Sequence, residues 1–251
     1  LILNGKKHNY SSGISRINIM GLLDYSLAIK KLEKKAHFVP ISHPWNAAKA
    51  SEYDKETLGS WIDSRMTDRA QKLLRSAFTE IFMSDPSEVS LLHALHLIHS
   101  LNGFEWIQGT KGGAQQHVVV GGMQAVAERL MHKLSTAVRL NSPVRCIKQD
   151  DVSVQVFTES AAIQARRVIN TVPPLLAARI DYEPELPALK TQLMERSPGG
   201  QIIRCYAIYL KPFWRTNGYT GQGLDLDEAP QTSIDMTPRE GEPGVLSACI
   251  T

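Results

Sequence analysis

No apolar run in this chain reaches the roughly 18 residues of a membrane span, and its first residues lack the charged and apolar regions of a signal peptide. Cysteine is scarce: Cys146, Cys205 and Cys249 lie far apart without C-x-x-C spacing, and an odd count argues against a disulfide framework. A reducing, cytoplasmic compartment is the simplest expectation. An excess of one sign of charge is lacking too: Lys and Arg number 28 against 25 Asp and Glu, and a formal net charge of +3 is too small to imply a nucleic-acid partner. The lysines at positions 30, 31, 34 and 35 have no interleaved aromatics on which a single strand would stack, so they read as a solvated stripe on a helix. G-x-S-x-G, Walker and G-x-G-x-x-G motifs are all missing, so the residues by themselves supply no complete catalytic constellation. A starting methionine is missing as well. Leu1 to Lys6 reads as a strand entering a turn and Val245 to Thr251 as a strand that stops, so both ends are expected to be cut from something longer.

What is present is ordinary globular material, with 43% hydrophobic and 21% charged residues. At 251 residues the chain has room for one large core or two modest ones. Apolar spacing predicts helices over Arg16 to Lys35, Ser51 to Met66, Arg69 to Met83 and Leu91 to Leu101, with Asp68 as a cap and Asp85-Pro86 as a helix start. A further helix is expected from Met123 to Leu134. The period then changes to that of strands, at Val144 to Lys148, Val152 to Phe157, Ala162 to Val172, Gln201 to Leu210, Thr232 to Met236 and Gly244 to Ile250. Helices followed by two groups of strands point to an α+β chain built from interleaved domains.

The segment from Gly109 to Gln124 carries five glycines and three glutamines around an expected short strand, Val118 to Val120. Glycine lets a backbone approach a bulky group closely, and Gln115, Gln116 and Gln124 offer uncharged donors and acceptors. An ordinary surface hairpin would have the same composition. His93, His96 and His99 recur every three residues on one helix, yet the further ligands of a zinc site are not spaced beside them. The acidic run Asp225-Leu-Asp-Glu228 lacks the spacing of a calcium loop.

Six segments, in order, carry a family resemblance: Glu88-Val-Ser-Leu-Leu-His, Gly109-Thr-Lys-Gly-Gly-Ala-Gln-Gln, Val120-Gly-Gly-Met-Gln, Pro143-Val144, Val168-Ile-Asn-Thr-Val-Pro-Pro and Lys211-Pro-Phe-Trp-Arg. Together they resemble the central part of a flavin-containing monoamine oxidase. The resemblance implies a helical and mixed-sheet substrate domain interleaved with part of a Rossmann-like FAD-binding domain. Its divisions are residues 1–122 for the first part of the substrate domain, 123–178 for the partial FAD domain and 179–251 for a β-rich second part. Val144 would meet the adenine of FAD through its backbone. Gln115 would line the substrate cavity before the flavin, and Gln108 would fall near its gate. Glu80 and Ile81 would line the route inward, although a glutamate there serves equally as a solvated helix end. Asn170 to Pro174 resembles the turn by which the chain leaves the cofactor domain. Arg204 occupies the position at which many relatives hold a water with lysine, and arginine is not a geometric equivalent.

The implied reaction oxidises an amine to an imine while oxygen becomes hydrogen peroxide, and a homo-oligomer is compatible with it. The glycine fingerprint and the C-terminal flavin segment of the family are not among these residues, so the chain alone is expected to be inactive and not to retain FAD. A catalytically silent binding module with the same fold is the alternative, and within enzymes a polyamine or amino-acid oxidase.

Overall fold

The computed structural model describes residues 2–3, 6–7, 19–64, 66–110, 112–134, 138–197, 199–226 and 232–250. The expected helix start at residues 16–18 and the Asp227-Glu228 end of the acidic run lie outside them. The chain divides into two compact units, one of residues Leu1–His117 with Gly200–Thr251, the other of Val118–Gly199.

The first unit opens with a two-strand hairpin, β1 (Ile2–Leu3) against β2 (Lys6–Lys7). Six helices follow: α1 (Ile19–Ala36), α2 (Ala50–Lys55), α3 (Leu58–Asp63), α4 (Asp68–Phe82), α5 (Leu91–Ser100) and α6 (Phe104–Gln108). Their apolar stripes meet in one core in which Leu32, Leu58, Trp61, Ile62, Leu74, Phe78, Leu91, Leu95 and Ile98 are fully buried. Burial of this extent is what holds short helices that would be marginal alone.

Two expectations are corrected here. The single helix expected over Ser51 to Met66 is two, because Thr57 leaves the helix to accept a hydrogen bond from the Ser60 amide at 3.0 Å and forms an isolated bridge with Ser90. Asp68 does not cap α4. The cap residue is Thr67, whose amide (2.6 Å) and hydroxyl (3.0 Å) both donate to Asp24 of α1.

The rest of this unit is a four-stranded antiparallel sheet. Strand β7 (Ile203–Tyr209) is followed by the short helix α10 (Phe213–Thr216), then β8 (Gly223–Leu224), β9 (Thr232–Asp235) and β10 (Gly244–Ile250), in the order β7-β10-β9-β8. A second small cluster, Leu73 with Leu22, Tyr25, Leu224 and Leu226, packs α1 and α4 against β8. Burial there pushes the Tyr25 phenol up to about 12.

The second unit holds α7 (Gln124–Leu134), the meander β3 (Val144–Gln149), β4 (Val154–Thr158) and β5 (Ala162–Ala165), then α8 (Pro174–Ala177), β6 (Asp181–Glu183) and α9 (Ala188–Glu195). Its sheet runs β5-β4-β3-β6, with β6 parallel to β3 and the other pairs antiparallel. The expected strand from Ala162 to Val172 ends at Ala165, and residues 168–172 run without a partner strand. The whole is an α+β chain.

Candidate functional site

The glycine-rich segment after α6 folds on itself. The Ala114 amide donates to Trp106 O at 2.8 Å, Gln115 to Gly109 O at 3.0 Å and Gln116 to Gly113 O at 3.2 Å. A Cβ on Gly113 would lie 2.6 Å from Gly109 O and 2.7 Å from Trp106 O. Gly109 and Gly113 therefore admit backbone against backbone, whereas a Cβ on Gly112 or Gly122 would meet nothing within 4 Å. The Gln116 carboxamide is used within the loop, on the Gly112 amide and the His117 ring. Gln115 is held by its backbone next to Gly109, adjacent to Gln108 at the end of α6, and both glutamine side chains face solvent. Thr110 accepts a hydrogen bond from Gln222 at 3.0 Å, which ties the loop to the approach of β8. Val118 to Val120 is not a strand: the three valines are exposed and unpaired, and Gly121 and Gly122, at φ of +83° and +78°, turn the chain into α7.

Glu80 and Ile81 occupy the last turn of α4, half-buried. Glu80 accepts a hydrogen bond from the Thr232 hydroxyl of β9 at 3.1 Å, which is more than a solvated helix end would do. The next turn is pinned as well. Met83 closes α4 in the left-handed region, its carbonyl accepts from the Gln201 amide at 2.9 Å, and a Cβ on Gly200 would sit 2.6 Å from the Met83 Cβ. The strand bearing Arg204 thus starts at the end of α4. Arg204 itself is exposed on the outer strand β7, opposite Cys249, and a hydrogen bond with Tyr206 raises its pKa further, so it is a permanent cation.

The second unit holds Val144, half-buried at the start of β3 where the pairing with β4 slips between Val144 and Cys146. Its cavity of about 590 Å³ is lined by Ile147, Asp150, Arg167, Asn170, Tyr182 and Lys190 among others. Asn170 donates to the Tyr182 hydroxyl at 3.1 Å, and that hydroxyl donates to Ala177 O at 3.1 Å, which fixes the turn after residue 169. A dinucleotide needs a strand, a glycine turn and a helix N-terminus for its pyrophosphate. Gly121 and Gly122 do precede α7, but the residues before them form no strand. Among the described residues, no strand, glycine turn and helix N-terminus come together to receive a dinucleotide pyrophosphate.

The three histidines of α5 have separate duties. His96 bonds Ile41 O at 2.9 Å and His99 bonds Val39 O at 2.7 Å, while His93 lies against Phe82, its pKa lowered by burial and then by His96. Among the described residues no group of three or more His, Cys, Asp or Glu side chains is placed to hold a metal, and no helix is long and apolar enough to cross a membrane.

Sequence reasoning missed the polar knot behind Lys211-Pro-Phe-Trp-Arg. Trp214 Nε1 and Arg215 Nε both donate to Asp235 of β9, at 2.9 and 2.6 Å, and the Thr237 amide donates to it at 2.8 Å. An aspartate twenty residues beyond an aromatic-arginine pair was the available signal, but only the strand register brings them together.

A family model described as flavin containing amine oxidoreductase matches residues 27–251. A flavin-containing monoamine oxidase of Mycobacterium tuberculosis is 34% identical over 244 residues, covering 96% of this chain and 54% of its own length. The flavin-containing amine oxidase A of Canis lupus familiaris is 31% identical over 250 residues, 97% of this chain and 47% of its own. Among solved structures, wild-type putrescine oxidase bound to putrescine superposes with a TM-score of 0.90 at 26% identity, over 98% of this chain and 56% of that one. The chain thus spans about half the length of the relatives it matches.

Proposed function

Because the chain belongs to the flavin-containing amine oxidoreductase family, we propose that it supplies the central part of an FAD-dependent amine oxidase. The overall reaction takes two electrons and two protons from an amine to give an imine, and oxygen receives both to give hydrogen peroxide. One observation carries the reading: the glutamine loop, the end of α4 and the β7-to-β9 sheet are joined by Thr110–Gln222, Met83–Gln201 and Glu80–Thr232. Three segments that the family resemblance assigns to one cavity are thereby tied to one sheet.

In this reading Gln115 presents a neutral carboxamide to the substrate, Gln108 stands at the entrance and Ile81 supplies an apolar wall. Glu80 attracts the incoming ammonium group. Val144 meets the adenine through its main chain. Three free cysteines fit a reducing compartment such as the cytoplasm. The 251 residues alone are expected to purify colourless and without amine-dependent peroxide formation, while the full-length product carries flavin. Stoichiometric yellow cofactor on these residues alone would overturn the claim that their phosphate site is incomplete. A full-length product that neither binds flavin nor oxidises any amine would favour the silent binding module with the same fold. Polyamine and amino-acid oxidases are separated from a monoamine oxidase by a substrate panel on that same product.

Arg204, at a position where the family resemblance expects lysine, carries a further mechanistic expectation. Arg204→Lys in the full-length enzyme is expected to change flavin reduction or reoxidation by about tenfold, equivalent to roughly 1.4 kcal/mol in the barrier. The two half-reactions are measured separately by stopped flow. Unchanged rates in both would remove Arg204 from the mechanism.

A further inference from the structure

The lysine stripe of α1 does not stand alone in the fold. Lys31, Lys34 and Lys35 share a face of α1, at i, i+3 and i+4, and Phe38 follows in the turn that ends it. They line a groove of about 500 Å³ together with Ala47, Ala48, Lys49 and Tyr53. The sequence shows no aromatic between these lysines, yet the fold brings two to them: Lys35 Nζ stands 4.8 Å over the Tyr53 ring, and Phe38 borders the same groove.

The adjoining segment is apolar at its exposed positions. Phe38 is 68% exposed, Ile41 52% and Trp45 65%. They do not project from a loose loop. Val39 between them is fully buried, and His99 and His96 hold the Val39 and Ile41 carbonyls from beneath. Glu52 is paired with Lys49 at 3.0 Å, and no lining residue of the groove is acidic. Fixed aromatic side chains beside a cluster of long-stemmed cations match the chemistry of a membrane interface, where rings sit at headgroup level and lysines meet anionic lipid.

We propose that the C-terminal end of α1 and the segment from Phe38 to Lys49 form a docking surface for an anionic phospholipid bilayer. The lysines supply the attraction and Phe38, Ile41 and Trp45 enter the headgroup layer. Lysine stems and Tyr53 give the groove an apolar floor on which a lipid chain can rest.

The test uses the full-length, flavin-loaded protein and sedimentation with vesicles of phosphatidylcholine, with or without phosphatidylserine. Binding is expected only with phosphatidylserine and is lost at about 0.5 M salt, where charges are screened within a few ångströms. Each lysine removed should weaken it about fivefold, so Lys31→Gln with Lys34→Gln costs roughly twenty-five-fold. Phe38→Ala and Trp45→Ala, both at exposed positions, should weaken it while leaving flavin content and thermal unfolding unchanged. Equal binding to both kinds of vesicle, no binding to either, or full binding by the double lysine variant would overturn the proposal. So would capture of a soluble short-chain phosphatidylserine or a single-stranded oligonucleotide without binding to vesicles.

Discussion

Replacing Gly113 with alanine is expected to lower turnover of the flavin-loaded, full-length enzyme about a hundredfold, the usual cost of misplacing a substrate-positioning group by about 1 Å. A Cβ at this position has no room. It would lie 2.6 Å from Gly109 O and 2.7 Å from both Gly109 Cα and Trp106 O, and all three are backbone atoms that no rotamer change can move aside. The loop must open, and the hydrogen bonds from Ala114 to Trp106 and from Gln115 to Gly109 open with it. Gln115 then loses its place beside Gln108. Local strain of this kind costs about 1–3 kcal/mol, so the protein stays folded and the loss is read as activity rather than yield. Gly199→Ala is the control, because nothing lies within 4 Å of its added Cβ. The measurement is steady-state turnover beside thermal unfolding for both variants. Full activity in Gly113→Ala would show that the loop does not position the substrate.

This prediction turns on a feature whose composition left a ligand-facing loop and an ordinary hairpin both open. Five glycines and three amides signalled a special loop, and two of the glycines, Gly109 and Gly113, are there because the loop packs on its own backbone. Periodicity located the helices and most strands because their partners are set by burial: Leu91 to Ile98 repeats on one face and that face is the core. It failed where the deciding partner is distant in sequence. Thr57 interrupts a helical pattern because Ser90 pairs with it, and the amide and hydroxyl of Thr67 find Asp24, forty-three residues earlier. Val118 to Val120 has strand-forming residues and no strand to join. Strand β6 is three residues long and finds its parallel partner β3 across α8, which no local pattern announces. For the candidate site, resemblance named Glu80, while its bond to Thr232 across 152 residues is visible only in the fold.

Asp235→Asn is expected to destabilise the first unit by about 2 kcal/mol near neutral pH, and the deficit should close as the solution is acidified. Asp235 is nearly buried, its side chain 11% exposed. Burial alone would raise its pKa, but donors from Arg215, Thr237 and Trp214 outweigh that penalty and hold the carboxyl at about 2, against an ordinary 3.8. A depressed folded-state value means that the unfolded chain binds the proton more readily. The stabilisation is therefore complete above the unfolded value and disappears as pH falls through about 2. A shift of this size corresponds to about 2.5 kcal/mol, since one pKa unit is worth about 1.4. The structural reach of the loss exceeds one ion pair. Asp235 binds α10 to β9, and Gly221 packs so closely that its Cβ would lie 2.8 Å from that of Asp235 and 2.9 Å from Trp214 Nε1. Gln222, which holds the glutamine loop through Thr110, is the next residue. Loosening the knot should thus raise the KM for amine before it lowers kcat, because it slackens the wall and leaves the reacting groups in place. Denaturation of both proteins across the acidic range, with amine kinetics near neutral pH, tests the two claims together. A stability difference that stays constant from neutral pH to about pH 2 would mean that the Asp235 charge contributes nothing, and that the knot is held by packing around Trp214 alone.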